Sequence, residues 1–265
     1  MSCPMSIHRL PKLESRPIFD HTSIFALASV ATILAAAYIC SFALLRKSCN
    51  TKLRILFIWH LFDALIHLTL EASYLYNIFF TSMPKLNVTY TRGMYSTPMT
   101  PANVSFLGDS KHLHGSFYGA SITARLWQEY AKADQRWGGS DLSIASLELI
   151  TVFVMAPLAL YVCHLLRRQQ YTKASFWMVV VAVGELYGGF MTFLPEWLSG
   201  SPHLDISNFL TLWVYLVLFK VLWTFFPLWI LFNAYQWLTS SALPLTPGLS
   251  NDTLKRPLKP TVYKC

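Results

Sequence analysis

The sequence predicts an all-α integral membrane protein, a bundle of five transmembrane helices around an intramembrane cavity. Three observations carry that prediction. The composition is 54% hydrophobic and 15% aromatic but only 13% charged over 265 residues. Five apolar runs are each long enough to cross a ~30 Å hydrocarbon layer at ~1.5 Å per helical residue. Basic clusters recur beside the runs, always at the ends that alternate crossing would place on one side. The net charge of +8 therefore reads as membrane topology rather than nucleic-acid binding, because the Lys and Arg residues line no continuous polar face.

In chain order, residues 1–23 are a Pro-containing polar tail, and Ile24 to Leu45 is the first span, uncharged, with Ala28, Ala31, Ala35 and Ala36 suiting close packing. Arg46, Lys47, Lys52 and Arg54 fill the turn into the second span, Ile55 to Phe80, and a short basic turn is expected in the cytosol. The amino terminus is then lumenal, as is the long segment 77–141 with its acceptor triplets at Asn87 and Asn103. Leu142 to Leu166, Phe176 to Leu194 and Phe209 to Phe232 complete the count, with a kink expected at Pro157. The membrane domain covers 24–238, and a basic cytosolic tail runs over 239–265. Five cysteines show no paired spacing, so neither a zinc site nor a disulfide framework is expected.

The second span organises the rest. Asp63, His67 and Glu71 recur every four residues with His60 and Tyr74, so one helical stripe gathers the polar groups. An ionisable group near mid-membrane costs at least ~2.5 kcal/mol, so such a stripe needs partners, water or substrate. Asp63 alone reads as a structural hydrogen-bonding group, whereas His67 with Glu71 reads as a proton donor and its tuning partner. By rise per residue, His67 lies ~18 Å and Glu71 ~24 Å from the cytosolic edge, Glu185 ~14 Å; from the lumen, Glu148 lies ~9 Å and Lys220 ~16 Å deep. These depths place one polar cavity in the middle and lumenal half of the bundle. Before the third span, Leu126 to Trp137 is a charged, aromatic-flanked helix candidate ended by Gly138 and Gly139, which composition alone would lay at the interface.

The string Trp127-Gln128-Glu129-Tyr130-Ala131-Lys132-Ala133-Asp134 resembles the WKEYxKxD signature of the emopamil-binding-protein family, the EXPERA-domain sterol isomerases. His67 and Glu71 resemble that family's HxxxE pair, Glu148 its Met-Glu-Thr position, and Ala156-Pro157-Leu158 its Gly-Pro-Leu. Gly184-Glu185-Leu186-Tyr187-Gly188 is similar to its Gly-Gln-x-Tyr-Gly, and Trp213-Val214-Tyr215 with Trp223 to its aromatic last helix. The resemblance spans roughly Phe25 to Leu231. It implies an endoplasmic-reticulum protein that shifts a sterol double bond by adding one proton and removing another, through a carbocation.

On that reading His67, Glu71, Glu129 and Trp223 are catalytic, and Asp63, Asp134, Glu148, Glu185, Tyr187, Trp213, Tyr215 and Lys220 contact substrate. Neither cofactor nor metal is expected. The implied partners are a sterol or polycyclic terpenoid and membrane lipid, with a homodimer open and no nucleic acid. Two departures stand out: Lys220 where the family has Asn, and Glu185 where it has Gln, which suggests a Glu185–Lys220 ion pair. Three classes stay open: the isomerase or a diverged terpenoid cyclase, a non-catalytic lipid-binding relative, and a proton-coupled transporter. The last lacks the expected internal repeats.

Overall fold

The computed structural model describes residues 19–85, 100 and 103–241. Among these, five helices are long and apolar enough to cross a membrane: α1 (His21–Leu44), α2 (Thr51–Phe80), α4 (Leu142–Arg167), α5 (Tyr171–Leu198) and α6 (Leu210–Ser240). A short helix α3 (Ile122–Tyr130) precedes α4. The protein is thus a multi-pass membrane protein. Most of both tails and the Asn87 triplet lie outside the described residues, while Asn103 is exposed in a turn with φ of 65°.

Each helix starts where local chemistry supplies acceptors for its unpaired first amides. Asp20 caps α1 by accepting from the Thr22 and Ser23 amides, and Ser23 Oγ returns a bond to the Asp20 amide. Burial pushes the Asp20 carboxyl up, but the Ser23 amide, Lys132 and the Thr22 amide outweigh it and hold it below its usual range. Asn50 caps α2, Ser121 caps α3 and Asp141 caps α4.

α2 packs between α1 and α4, and α5 lies along α6 over most of its length. Towards the 45–50 turn the core is Phe57, Trp59, Phe62, Val162, Leu165, Met178 and Ile230. Towards the other end it is Tyr74, Ile78, Trp127, Trp137 and Ile144. Trp127 and Trp137 stack with centroids 5.0 Å apart, and the Trp127 indole N–H donates to Ser73 Oγ at 2.9 Å, which clamps the segment after α2 onto α2 itself.

That segment departs from expectation in two ways. It contains a two-stranded antiparallel hairpin, β1 (Ser82–Pro84) with β2 (His112–His114), that the sequence reading left as loop. The predicted helix from Leu126 to Trp137 ends at Tyr130; a turn and a 3₁₀ segment, Gln135–Gly138, follow. The break follows from the ion pairing around Arg136 described below, which needs Asp134 in extended conformation. Cys40 and Cys163 are free thiols, whereas Cys49 is disulfide-bonded, against the expectation of none.

Three membrane helices contain π turns: His67–Glu71 in α2, Thr151–Met155 in α4 and Leu210–Leu218 in α6. Pro157 accounts for part of the second, since it lacks an N–H and follows an Ala156 amide that reaches back to the Thr151 carbonyl. Each π turn advances the side chains after it, and π turns concentrate at functional sites.

Candidate active site

All three π turns border one hollow of about 540 Å³ between α1, α2, α4, α5 and α6. Its wall is mostly apolar and aromatic, and His67, Glu71, Glu148, Glu185, Lys220 and Trp223 bring the polar groups to it.

His67 is the centre of these groups and is almost wholly buried. Its Nδ1 is bonded to Glu71 Oε2. Its Nε2 lies 3.2 Å from Glu185 Oε1 and 3.2 Å from Asp63 Oδ1. A ring with carboxylate oxygens at both nitrogens can donate from both only as imidazolium. Around one ring, then, three carboxyl groups compete, and a fourth, Glu148, comes up against Glu71. Glu148 Oε2 and Asp63 Oδ2 have no hydrogen-bond partner among the described residues. Carboxyls outnumber cations here, an arrangement that can hold and exchange protons.

Trp223 donates its indole N–H to Asp63 Oδ1 at 2.9 Å, and edge contact with Trp59 at 5.5 Å fixes its plane at the hollow. The π face so presented suits a developing positive charge. Asp63, His67 and Glu185 bring ligand atoms within 4.8 Å of one another and are the described residues that could hold a metal ion, yet both imidazole nitrogens already face carboxylates.

The remaining expected site residues divide by position. Tyr187 borders the hollow, as does Tyr215, whose hydroxyl donates to Glu129 Oε1 at 3.1 Å. Glu129 itself is fully buried outside the lining, accepting from Ser23 Oγ at 2.6 Å and pairing with Lys132 at 2.5 Å. It ties α1, α3 and α6 together and touches nothing in the hollow. Asp63 stands behind His67 rather than on the wall. Asp134 is also off the wall, held bidentately by Arg136 at 2.9 and 2.6 Å. Trp213 points outward, 54% exposed, so it is not a cavity aromatic. The expected Glu185–Lys220 ion pair is absent among the described residues: Glu185 goes to His67, and Lys220 Nζ lies over the Phe193 ring at 5.0 Å. The π turn that ends at Leu218 rotates Lys220 away from the face a regular helix would give it.

The sequence reading missed Trp137, Tyr130, Thr151 and Phe193, all of which line the hollow. Tyr130 lies within the signature string and Thr151 follows Glu148 by three residues, so both were within reach of a sequence argument, whereas the direction of Trp137 and Phe193 is set by packing.

Comparison with known proteins gives the same picture from a second direction. Residues 122–234 match the family described as EXPERA (EXPanded EBP superfamily). A 3-beta-hydroxysteroid-Delta(8),Delta(7)-isomerase of Rattus norvegicus is 33% identical over 121 residues, 46% of this chain and 52% of the relative. The probable isomerase of that name from Arabidopsis thaliana is 23% identical over 137 residues, 52% and 60% of the two chains. Protoglabretal synthase of Citrus sinensis is 27% identical over 81 residues, 31% of this chain and 38% of that one. The chain thus spans about half the length of the isomerases it matches. The matched stretch carries Glu148, Glu185, Lys220 and Trp223, while His67 and Glu71 come from α2, before it begins.

Proposed function

We propose that this protein is a membrane-embedded isomerase that moves a carbon–carbon double bond in a sterol or related polycyclic terpenoid. The observation that carries the reading is His67 clamped between Glu71 and Glu185 at the edge of an apolar hollow large enough for a ring system. The isomerase and EXPERA relatives support the same chemistry.

In this reading the Glu71–His67 pair delivers a proton to one alkene carbon. The resulting cation lies against Trp223, with the carboxylates of Glu185 and Asp63 supplying negative potential without attacking it. Loss of a proton from a neighbouring carbon to the second carboxyl of the cluster, Glu148 or Glu71, leaves the alkene shifted and the protein recharged for the next turnover. The hollow's apolar wall keeps out water, which would trap the cation as an alcohol. Glu129 and Asp134 act as positioning residues that hold α3 and the segment after it. The hollow lies within the membrane, the amino terminus and α3 face the lumen of the endoplasmic reticulum, and substrate arrives from the bilayer; a homodimer is compatible with the exposed apolar face of α1.

The test is sterol profiling of a host that lacks its own isomerase, with and without this chain, in heavy water. A shifted alkene carrying solvent deuterium at the protonated carbon is expected. The terpenoid synthases among the relatives favour a second reading, in which the same acid cluster initiates rearrangement of an oxygenated triterpenoid; a rearranged skeleton in place of a shifted alkene would select it. Binding of sterol with neither product would leave a lipid-binding protein.

A further inference from the structure

Lys220 lines the hollow with a charge that opposes a carbocation and, unlike His67, has no carboxylate at ion-pair distance among the described residues. It lines the cavity, where its Nζ sits 5.0 Å from the Phe193 centroid and 5.8 Å from that of Trp137. Those ring faces offset part of the cost of burying an ammonium, but they accept none of its three N–H donors in the ordinary sense. The charges facing it are Asp134, Glu148, Glu71 and Arg136. Asp134 is committed to Arg136 and Glu71 to His67; Glu148 comes up against Glu71, and neither it nor any other carboxylate reaches ion-pair distance of Nζ among the described residues. The side chain is half-buried and lines the hollow. Donors left unmet in such a place are costly, unless a bound molecule brings the acceptor.

We propose that Lys220 is a specificity-determining residue that selects substrates bearing a hydrogen-bond-accepting oxygen, a carbonyl or ether-type oxygen on the polycyclic skeleton, by donating to it from Nζ. The assignment rests on the terpenoid-isomerase reading only for the kind of skeleton that fills the hollow. It also eases the electrostatic conflict: an oxygen between the ammonium and the reacting carbons takes up the positive field of Lys220, while the carboxylates around His67 supply the negative potential. A neutral amide at this position would tolerate a plain hydrocarbon region there. An ammonium penalises it, because nothing then satisfies its donors.

The full chain in nanodiscs is the material, and the probes are 5α-cholest-8-ene and its ketones with the carbonyl in ring A, ring C or the side chain, so that either orientation presents an oxygen to Lys220. Binding is measured by competition, with no turnover required. For wild type, at least one ketone is expected to bind about 10- to 150-fold more tightly than the hydrocarbon, the range for a hydrogen bond from a charged donor. Lys220→Met removes that gain while hydrocarbon affinity stays the same or improves; Lys220→Gln, which keeps a neutral N–H, retains only part of it. Equal binding of every ketone and the hydrocarbon by wild type overturns the proposal, as does a gain that survives in Lys220→Met. If that variant does not fold, an unreduced gain in Lys220→Gln overturns it instead. A gain that depends on Lys220 in a protein that shifts no alkene would overturn the isomerase reading and leave this one standing.

Discussion

The buried charged clusters around Arg136 and around His67 differ in how completely their members satisfy one another. Around Arg136, between α3 and the end of α5, the account is closed: Asp134 takes a bidentate pair, the Thr192 carbonyl accepts at 2.8 Å, and Glu196 is shared with His203 at 2.7 Å. Burial works against the Arg136 charge, but the Asp134 hydrogen bond overcomes it and holds the guanidinium more firmly protonated than usual. Around His67 the account is open: carboxyls outnumber cations, two oxygens lack partners, and the cluster faces a hollow. Burial of charge alone therefore does not mark an active site. A surplus of acceptors at a cavity edge is what sets the His67 cluster apart.

The comparison breaks first at Glu71. Glu71→Gln keeps size and polarity but removes the exchangeable proton, so turnover should fall about 10²- to 10⁴-fold with sterol binding and melting temperature little changed. A variant that turned over normally, or one that simply unfolded, would move the His67 cluster into the scaffold class.

Arg136→Met should do the reverse. It strands Asp134 and Glu196 in the interior and is expected to cost about 3–5 kcal/mol of stability, lowering folded yield and melting temperature in detergent. The Arg136→Met, Asp134→Leu double variant should recover part of that loss. A stable Arg136→Met protein with impaired turnover would show that this cluster, too, works on substrate.

Trp223→Leu sharpens the contrast at smaller scale. A desolvated cation–π contact is worth about 2 kcal/mol, so turnover should drop about 30-fold beyond any change in binding. Trp223→Phe, which keeps a π face but not the bond to Asp63, should fall between the two. Equal rates for Leu and Phe would remove the ring from the chemistry.

The smallest effect is expected at Asp109, where a third charged group lies on the exposed hairpin. The Lys111 amide first, then the His112 side chain, hold its carboxyl down at about 2. A lowered carboxyl contributes stability above its ordinary value near 3.8 and loses it as pH falls through about 2. Asp109→Asn should leave turnover at neutral pH unchanged and speed amide exchange only at Lys111 and His112, which a hydrogen-exchange map of the hairpin would check.

The amino-acid sequence by itself determined the five helices, because membrane-length apolar runs and backbone self-sufficiency in lipid leave few alternatives. It also determined that His67 and Glu71 belong together, since four-residue spacing survives even the extra residue of a π turn closely enough for contact. Helix starts follow local caps rather than the apolar runs: Asp20 and Asn50 begin α1 at His21 and α2 at Thr51, before the runs at Ile24 and Ile55, whereas α4 starts at Leu142 as its run does. What only the tertiary structure decided is which partner each buried charge takes. Glu185 meets His67 rather than Lys220, Glu129 anchors α1 rather than lining the hollow, and Trp213 turns outward while Trp223 turns in. Those choices depend on the rotation of one helix against another. In α2, α4 and α6 that rotation is reset by π turns, whose position follows from packing and from Pro157 rather than from any periodic signal in the chain.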